Sequence, residues 1–421
     1  MKHNTDTTPT KVQKDAKLGV IPDGWIFKTL DEIGSFTKGK GISKSEILEL
    51  CDSGFSCIRY AEIYTKYHNY TDVFESRIND ESANNSNEIK YGDILFAGSG
   101  ETLEDIGKAI AYLGNEKAYA GGDIIIFRQE NEDSKYLGFL MNNDFVRSQL
   151  HKLGQGHSVV HIYGKSLKKV KIPIPPLPEQ QKIAQILATW DVAINKQEAL
   201  IEEKQLQKKA LMQQLLTGKK RFAGFNEKWE EVRLGEISKS FSGGTPSSKN
   251  YDYYNGNIHW IKSGELNQVI ITDTEDFITE LGLKNSSAKI VQPKTLLVAM
   301  YGATAGVCAI TEIKGAINQA VLAIIPSEKI DNTFLFQKLR MIMPSVVHAM
   351  TQGGQPNLSG GIIKKVKIKI PEFIEQQKIA EVLTAADNEI DALKQQLKKL
   401  KNQKQGLMQQ LLTGKIRVNT N

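Results

Sequence analysis

The chain has 421 residues, of which 40% are hydrophobic and 24% charged, and its formal net charge at pH 7 is +6. This length exceeds what one hydrophobic core usually organises, so at least two globular domains are expected. No apolar run is long enough to span a membrane, and three cysteines (Cys51, Cys57, Cys308) exclude a disulfide-rich scaffold and fit a cytoplasmic protein. The modest positive charge permits a polyanionic partner without requiring one.

Residues 1–23 are predicted to form a disordered tail, because they are polar and lack the apolar stretch of a secretory signal. Residues 24–175 are predicted to form a mixed α/β domain. Short β-branched runs bounded by glycine indicate its strands, and one helix is expected near residues 136–150. Prolines between Pro173 and Pro178 then stiffen the exit from this domain.

A long helix is predicted over residues 176–218, because its apolar side chains recur at alternating steps of four and three, the spacing of a coiled coil. Thr217 and Gly218 end it with a glycine cap signature. Gln197, Lys204 and Lys208 interrupt the apolar row. The predicted apolar seam consists of Ile183, Leu187, Trp190, Ile194, Ile201, Leu211 and Leu215.

The chain then repeats itself. Residues 179–184 recur letter for letter at 375–380, and residues 211–219 recur at 407–415. Both matches are displaced by 196 residues (375 minus 179, and 407 minus 211). Weaker matches upstream pair Trp25 with Trp229, both predicted core anchors. We therefore interpret the chain as a tandem duplication, with a second, divergent α/β domain at 219–371 that includes a helix near 334–350.

The second long helix is predicted over residues 372–416, followed by a tail at 417–421. Its seam consists of Ile379, Leu383, Ile390, Leu393, Leu397, Leu400, Leu407 and Leu411, with Ala386 and Lys404 in the same row. Matching seams in one chain predict that the two helices pair with each other in an antiparallel coiled coil, about 55 Å long, which separates two α/β domains related by a pseudo-twofold axis. The competing interpretation is a coiled coil with another chain.

Two divergent domains on a rigid spacer suit the reading of two different, separated sequences on one DNA duplex. The chain resembles the specificity subunits of type I restriction-modification systems. The resemblance rests on the Pro-x-x-Glu-Gln-Gln-Lys-Ile-Ala helix start at 176–184, the Leu-Leu-Thr-Gly-Lys helix ends, and the Trp-x-x-x-x-Leu-x-x-Ile openings at Trp25 and Trp229. The second helix departs from the pattern at its start, where Pro371 precedes Glu372-Phe373-Ile374-Glu375.

The resemblance implies a target-recognition subunit without catalytic residues, which binds double-stranded DNA and whose two domains each read one half of a split, asymmetric target. Two methyltransferase (M) subunits are expected to dock along the helix seams, and restriction-translocase (R) subunits to join them. No cofactor or metal is expected in this chain. S-adenosylmethionine, ATP and magnesium are expected in the partner subunits, and the modification is adenine N6-methylation.

Candidate DNA contacts follow from side-chain chemistry, because base edges call for polar side chains and phosphates call for cations and backbone amides. The candidates occupy predicted loops, among them a basic loop at 37–44 and polar turns at 98–100 and 155–158. In the first domain they are Lys38, Lys40, Ser43, Lys44, Arg59, Tyr60, Ser99, Gln155, His157 and Ser158. In the second domain they are Thr245, Ser247, Lys249, Lys262, Tyr301, Gln352, Gln355 and Asn357.

Enzyme interpretations fit the sequence poorly. Residues 34–41 match GxxxxGK but carry glycine where a nucleotide-binding loop needs Ser or Thr. Asp123 and Glu130 do not form the acidic cluster of a nuclease, and the second copy has Ala320 in the place of Asp123. The alternative from another class is a coiled-coil adaptor whose two end domains bind protein rather than DNA.

Overall fold

The computed structural model of the protein describes residues 14–15, 19–20, 22–48, 54–156, 159–350 and 357–420. The chain divides into two compact units, Met1–Glu198 with Gln396–Asn421, and Ala199–Gln395. Each unit holds one α/β domain, the first part of the long helix that follows it, and the last part of the other long helix. The sequence-based boundaries set the helices apart as separate segments, whereas this division assigns part of each helix to each unit.

Before the long helix, the described residues of the first unit form fifteen short strands and five α-helices, together with two 3-10 turns at Leu30–Glu32 and Lys44–Glu46. The strands are β1 Lys14–Asp15, β2 Gly19–Val20, β3 Ile26–Thr29, β4 Gly34–Lys38, β5 Phe55–Ile58, β6 Tyr70–Thr71, β7 Ser76–Ile78, β8 Asn87–Ile89, β9 Ile94–Ala97, β10 Ser99–Gly100, β11 Ala109–Tyr112, β12 Ala118–Ala120, β13 Ile124–Gln129, β14 Val160–His161 and β15 Lys171–Ile174. The helices are α1 Tyr60–Thr65, α2 Asp80–Asn84, α3 Ser134–Met141, α4 Asp144–Leu153 and α5 Gly164–Leu167, and the long helix α6 Leu177–Leu215 follows.

The predicted disordered tail, residues 1–23, lies mostly outside the described residues. Within it, β1 pairs antiparallel with β2. These four residues are therefore paired strands rather than disordered chain, because their backbones hydrogen-bond to each other.

Two sheets share the core of the first domain. One has the strand order β4-β13-β9-β11-β6 and the other β7-β5-β12-β8. Side chains alternate between the two faces of a strand, so the apolar run of β13 supplies two cores. Ile124 and Ile126 pack into one cluster, while Ile125 and Phe127 pack into another with the helices. Both faces are covered, which explains why the strand is apolar without alternation.

The single helix predicted near residues 136–150 is wrong, because the structure has two helices there, α3 and α4. Asn142 ends the first helix, and Asn143 caps the second, since the Asn143 side chain accepts a hydrogen bond from the Phe145 amide at 3.0 Å. The neighbouring Asn142 side chain donates to the Ala109 carbonyl at 2.7 Å. Asparagine side chains compete for backbone groups in this way, which favours a break between two helices over one continuous helix.

The second domain repeats this plan: outside residues 351–356, it has eleven strands, four α-helices and three 3-10 turns at Tyr251–Tyr253, Ser263–Gln268 and Gly302–Thr304, followed by the second long helix. The strands are β16 Glu230–Arg233, β17 Ser238–Ser242, β18 Tyr254–Ile261, β19 Ile270–Ile271, β20 Phe277–Ile278, β21 Lys289–Val291, β22 Leu296–Ala299, β23 Cys308–Thr311, β24 Gly315–Ile317, β25 Val321–Pro326 and β26 Lys367–Ile370. The helices are α7 Leu234–Ile237, α8 Glu280–Lys284, α9 Asn332–Met350, α10 Gly360–Lys365 and α11 Phe373–Leu411.

The sheets of the second domain have the orders β17-β25-β22-β23-β19 and β20-β18-β24-β21, which match the first domain strand for strand. Parallel pairs also fall at matching places, at β12 with β5 and at β24 with β18. The predicted internal duplication of a mixed α/β domain is therefore confirmed, and the helix predicted near 334–350 lies within α9.

Within each unit, parts of α6 and α11 pack against each other in antiparallel directions. In the first unit, Asp191 pairs with the largely buried Lys404, and Glu179 pairs with Arg417 at 2.7 Å. The second unit has the same two ion pairs at positions displaced by 196 residues: Asp387 with Lys208, and Glu375 with Arg221 at 2.7 Å.

Every residue of the two predicted seams is buried or partly buried. Ile183, Leu187, Ile379 and Leu383 are the most completely enclosed. Gly218 and Gly414, which follow the two helices, have φ of 70° and 73°, the left-handed conformation that a glycine cap requires. The structure thus has long helices at both predicted places, each followed by a glycine in the left-handed conformation, and within each unit the helix segments pair antiparallel.

Among the described residues, no helix is both long and apolar enough to cross a lipid bilayer.

Candidate nucleic-acid interface

Three segments meet at one edge of the first domain: the loop that begins at Gly39 after β4, the end of β5 at Ile58, and the turn at 121–123 between β12 and β13. Backbone hydrogen bonds tie them together. The Gly39 amide donates to the Ile124 carbonyl at 2.8 Å, and the Gly121 amide donates to the Ile58 carbonyl at 2.9 Å. A Cβ at Gly39 would lie only 2.0 Å from the Gly121 oxygen, so this close approach requires glycine.

Two adjoining cavities open at this edge. One, of about 560 Å³, is lined by Ser43, Lys44, Arg59 and Tyr60 among others, and the other, of about 410 Å³, lies beside α5. Lys38 and Asp123 line both cavities. We call the set that surrounds the two cavities the basic surface: Lys38, Ser43, Lys44, Arg59, Tyr60, Asp123, His161, Tyr163, Lys165 and Lys168.

The structure thus brings together five predicted contacts of the first domain: Lys38, Ser43, Lys44, Arg59 and Tyr60. Their positions are fixed locally. The Ser43 amide donates to Glu46 at 2.6 Å, and hydrogen bonds from Ser43 and Ser82 lower the pKa of the Glu46 carboxyl. The Arg59 amide likewise donates to Glu62 at 2.9 Å as α1 begins.

Other predictions for this domain have mixed outcomes. Lys40 and Gln155 are exposed, but neither lines these two cavities. Ser99 is a correction: it is only 2% exposed, and it lies in β10, paired with β14, rather than in a polar turn. Its hydroxyl shares a hydrogen bond of 2.9 Å with His161 Nδ1, so it positions His161 instead of facing solvent. His157 and Ser158 lie outside the described residues.

Sequence reasoning missed His161, Tyr163, Lys165 and Lys168. Tyr163 is 49% exposed, and Lys165 and Lys168 flank the same cavity on and beside α5. The signal that was available is the mixture of aromatic and basic residues in Tyr163-Gly164-Lys165-Ser166-Leu167-Lys168-Lys169. Their proximity to Lys38 depends on tertiary folding and is not visible in the sequence.

The second domain carries different side chains at equivalent places. Lys262 follows β18 as Arg59 follows β5, and its hydrogen bond with Asp276 raises its pKa. The Met300 amide donates to the Ala320 carbonyl at 2.8 Å, where the first domain has Gly98 donating to Asp123 at 2.7 Å. Ala320 therefore occupies the position of Asp123.

The remaining predicted contacts of the second domain that the structure describes either hydrogen-bond to one neighbouring residue or are simply exposed. Thr245 hydrogen-bonds to the exposed Gln319 side chain, and Tyr301 forms an isolated β-bridge with Asn357. Ser247 and Lys249 are exposed. Gln352 and Gln355 lie outside the described residues.

The two predicted core anchors differ in their surroundings. Trp25 is buried and donates from Nε1 to Glu179 at 3.1 Å. Trp229 is partly buried against the second core, and its Nε1 has no hydrogen-bond partner among the described residues.

A family model described as the type I restriction modification DNA specificity domain matches residues 22–203 and again residues 226–402. The chain belongs to this family. The two matches fall on the two copies of the duplication, and the resemblance inferred from the sequence motifs is confirmed.

Curated relatives in this family extend over nearly the whole chain. The chain is 27% identical to a putative type I restriction enzyme MjaX specificity subunit of Methanocaldococcus jannaschii, with 97% of each chain covered. It is also 27% identical to the MjaVIII specificity subunit of the same organism, with 94% of each covered.

Solved structures of the family share the fold. The S subunit of a type I restriction-modification system from M. genitalium superposes with a TM-score of 0.60 at 18% identity, covering 93% of this chain and 96% of that one. A chain from a study of complex assembly in the type I system gives 0.61 at 19% identity, covering 94% and 99%.

Proposed function

We propose that this family member is the DNA-recognition subunit of a type I restriction-modification complex, in which the first domain reads one half of an asymmetric, bipartite target and the second domain reads the other. The observation that carries the proposal is the basic surface, where cations, two tyrosine rings and polar side chains surround two adjoining cavities, and backbone hydrogen bonds hold the loops in place.

The side chains of the basic surface divide by their chemistry. Lys44, Lys165 and Lys168 are exposed cations that suit phosphates, which hold a protein in register on the duplex without reading its sequence. Arg59 and Tyr60, together with the histidine fixed by Ser99, offer directional groups for base edges in the major groove. Phosphate contacts would supply affinity, and base contacts would supply specificity.

The two domains are proposed to read different sequences because equivalent positions differ in chemistry. Arg59 is matched by Lys262, and Asp123 is matched by Ala320. Arginine presents a planar fork of donors where lysine presents a single charged point, so the two do not select bases in the same way.

The long helices are proposed to set the unread spacer and to dock the methyltransferase subunits, with the restriction-translocase subunits joining the same complex. Because the predicted seam residues pack inside the chain, docking is assigned to exposed apolar neighbours on the helices: Leu177, Val192, Leu200, Leu206, Phe373 and Ile374. Catalysis, S-adenosylmethionine, ATP and magnesium are assigned to the partner subunits.

The proposal is tested by selecting duplexes from a random library with the full chain and then measuring affinity for the selected sequence and for bulk duplex over a range of salt. Affinity should fall steeply with salt, and the selected site should compete far better than bulk DNA. Lys165→Ala should weaken binding to all sequences and reduce the salt slope by about one, whereas Lys90→Ala, an exposed lysine that lines neither cavity, should do neither.

A protein-binding adaptor would select no sequence and would show no steep salt dependence. Either result for the unaltered chain would contradict the proposed function.

A further inference from the structure

Asp123 places an acidic side chain in the middle of the basic surface. It lines both cavities, and its side chain is 45% exposed. Its ion pair with Lys38 is long, at 3.8 Å, and Lys38 is itself 67% exposed. An exposed pair at this distance contributes little to folding stability. Within the described part of the chain, the carboxylate of Asp123 therefore has no structural role that would account for its presence at this position.

The backbone around Asp123 is held firmly. The Asp123 carbonyl accepts from the Gly98 amide at 2.7 Å, and the preceding Gly122 amide donates to the Gly41 carbonyl at 3.0 Å. Glycine is required at Gly98 as well, because a Cβ there would lie 2.9 Å from the Asp123 oxygen. The carboxylate is therefore carried on a turn fixed from two sides, as a group that must discriminate between ligands requires.

A carboxylate is unfavourable for general DNA binding, because it faces a polyanion and can only accept hydrogen bonds. It can be favourable only opposite a base edge that donates. In the major groove, guanine presents two acceptors and thymine one, while adenine presents its amino group beside the N7 acceptor. Cytosine presents the N4 amino group without a neighbouring acceptor on the same base. Cytosine is therefore the base that suits an isolated carboxylate best.

We propose that Asp123 is a specificity-determining residue that accepts a hydrogen bond from the N4 amino group of a cytosine in the half-site read by the first domain. The inference rests on the proposed function. Asp123 discriminates against bulk duplex by repelling phosphates and bases with acceptor edges, while the surrounding cations supply the affinity. The second domain has Ala320 at this position, so it lacks this determinant.

The test compares the unaltered full chain with Asp123→Asn in a random-duplex selection, followed by competition binding. Asparagine offers both a donor and an acceptor, which matches the N6 and N7 groups of adenine. One position of the first half-site should therefore change from cytosine to adenine, with a loss of preference for cytosine of roughly 5- to 100-fold. Affinity for bulk duplex should rise, because one negative charge facing the phosphates is removed.

The matched control is Asp31→Asn, which makes the same change of charge at an exposed aspartate that also pairs with a lysine, Lys168 at 2.8 Å, but lines neither cavity. It should leave base preference unchanged. Lys38→Ala, which removes the lysine that Asp123 faces, should weaken binding to all sequences while keeping the cytosine.

If Asp123→Asn retains the same preference at every position, the assignment of Asp123 is overturned while the proposed function stands. If the unaltered chain selects no sequence at all, the proposed function fails and the assignment fails with it.

Discussion

Asp387→Ala should strongly destabilise the protein, because Asp387 is the charge partner of a buried lysine in the helix pair. Its carboxylate accepts from Lys208 and from Gln337 Nε2 at 2.7 Å, and Arg340 lies 3.4 Å away. Lys208 has a side-chain exposure of only 8%, so removal of the carboxylate leaves a buried ammonium without a counter-charge.

Breaking a buried pair in this way typically costs about 3–5 kcal/mol. Asp387 is itself 27% exposed, which permits partial hydration of the site and places the expected loss near the lower end, at about 3 kcal/mol. Lys208→Leu combined with Asp387→Leu should recover much of this loss, because the uncompensated charge is absent.

The measurement is urea unfolding of the full chain, with Asp391→Ala as the matched control. Asp391 lies one turn further along α11, is 65% exposed, and is 3.9 Å from its partner Lys394, so its removal should cost less than about 0.5 kcal/mol. A loss for Asp387→Ala no larger than that of the control would refute the argument that the helices pair through this buried contact.

The pH dependence gives a second measure of the same site. Burial raises the pKa of Asp387, but hydrogen bonds from Lys208 and Gln337 outweigh that effect and lower the pKa below its ordinary value. Because the pKa of Asp387 is lower in the folded state, its charged form stabilises the fold at pH above the unfolded-state pKa of about 3.9. That stabilisation is lost as the pH falls through the folded-state pKa. The difference between the unaltered chain and Asp387→Ala should therefore shrink in acid.

Two further predictions concern the loops and the helix length. Gly39→Ala should lower the melting temperature of the first domain and abolish DNA binding, because the new Cβ would lie 2.0 Å from the Gly121 oxygen. An unchanged melting temperature would contradict this. Gly24→Ala is the control: Gly24 has a left-handed φ but no atom within 4 Å of its Cβ position, so this variant measures the cost of backbone conformation without a steric clash. Insertion of one heptad into each of α6 and α11 lengthens the helix pair by about 10 Å and should add about three base pairs to the unread spacer of the selected target; an unchanged spacer would rule out the helices as the spacing element.

Much of the fold was predictable, because the helices show in local sequence periodicity and the two domains show in the internal repeat. The repeated segments at 179–184 and 375–380 revealed the duplication, and the heptad spacing of residues such as Ile183 and Leu187 predicted the helix pair. The break between α3 and α4 was missed, because an asparagine such as Asn143 is compatible with a helix until its side chain finds a backbone amide to cap.

The basic surface was only partly predictable. The end of β4 and the start of the segment after β5 were recognisable from glycine and charge, which identified Lys38 and Arg59. The contribution of α5, and the central position of Asp123, depend on which strands become neighbours, and strand order is a long-range property of the sheet. Ser99 was misassigned because flanking glycines suggested a turn, whereas they allow a buried strand to approach its neighbours closely.

The most direct test of the account is to replace residues 24–170 with the corresponding domain of another family member and to map methylated adenines across the genome of a strain that carries the hybrid chain with its partner subunits. If each domain reads one half of the target, one half of the methylated sequence changes while the other half is retained. A change in both halves, or in neither, would contradict the assignment of one half-site to each domain.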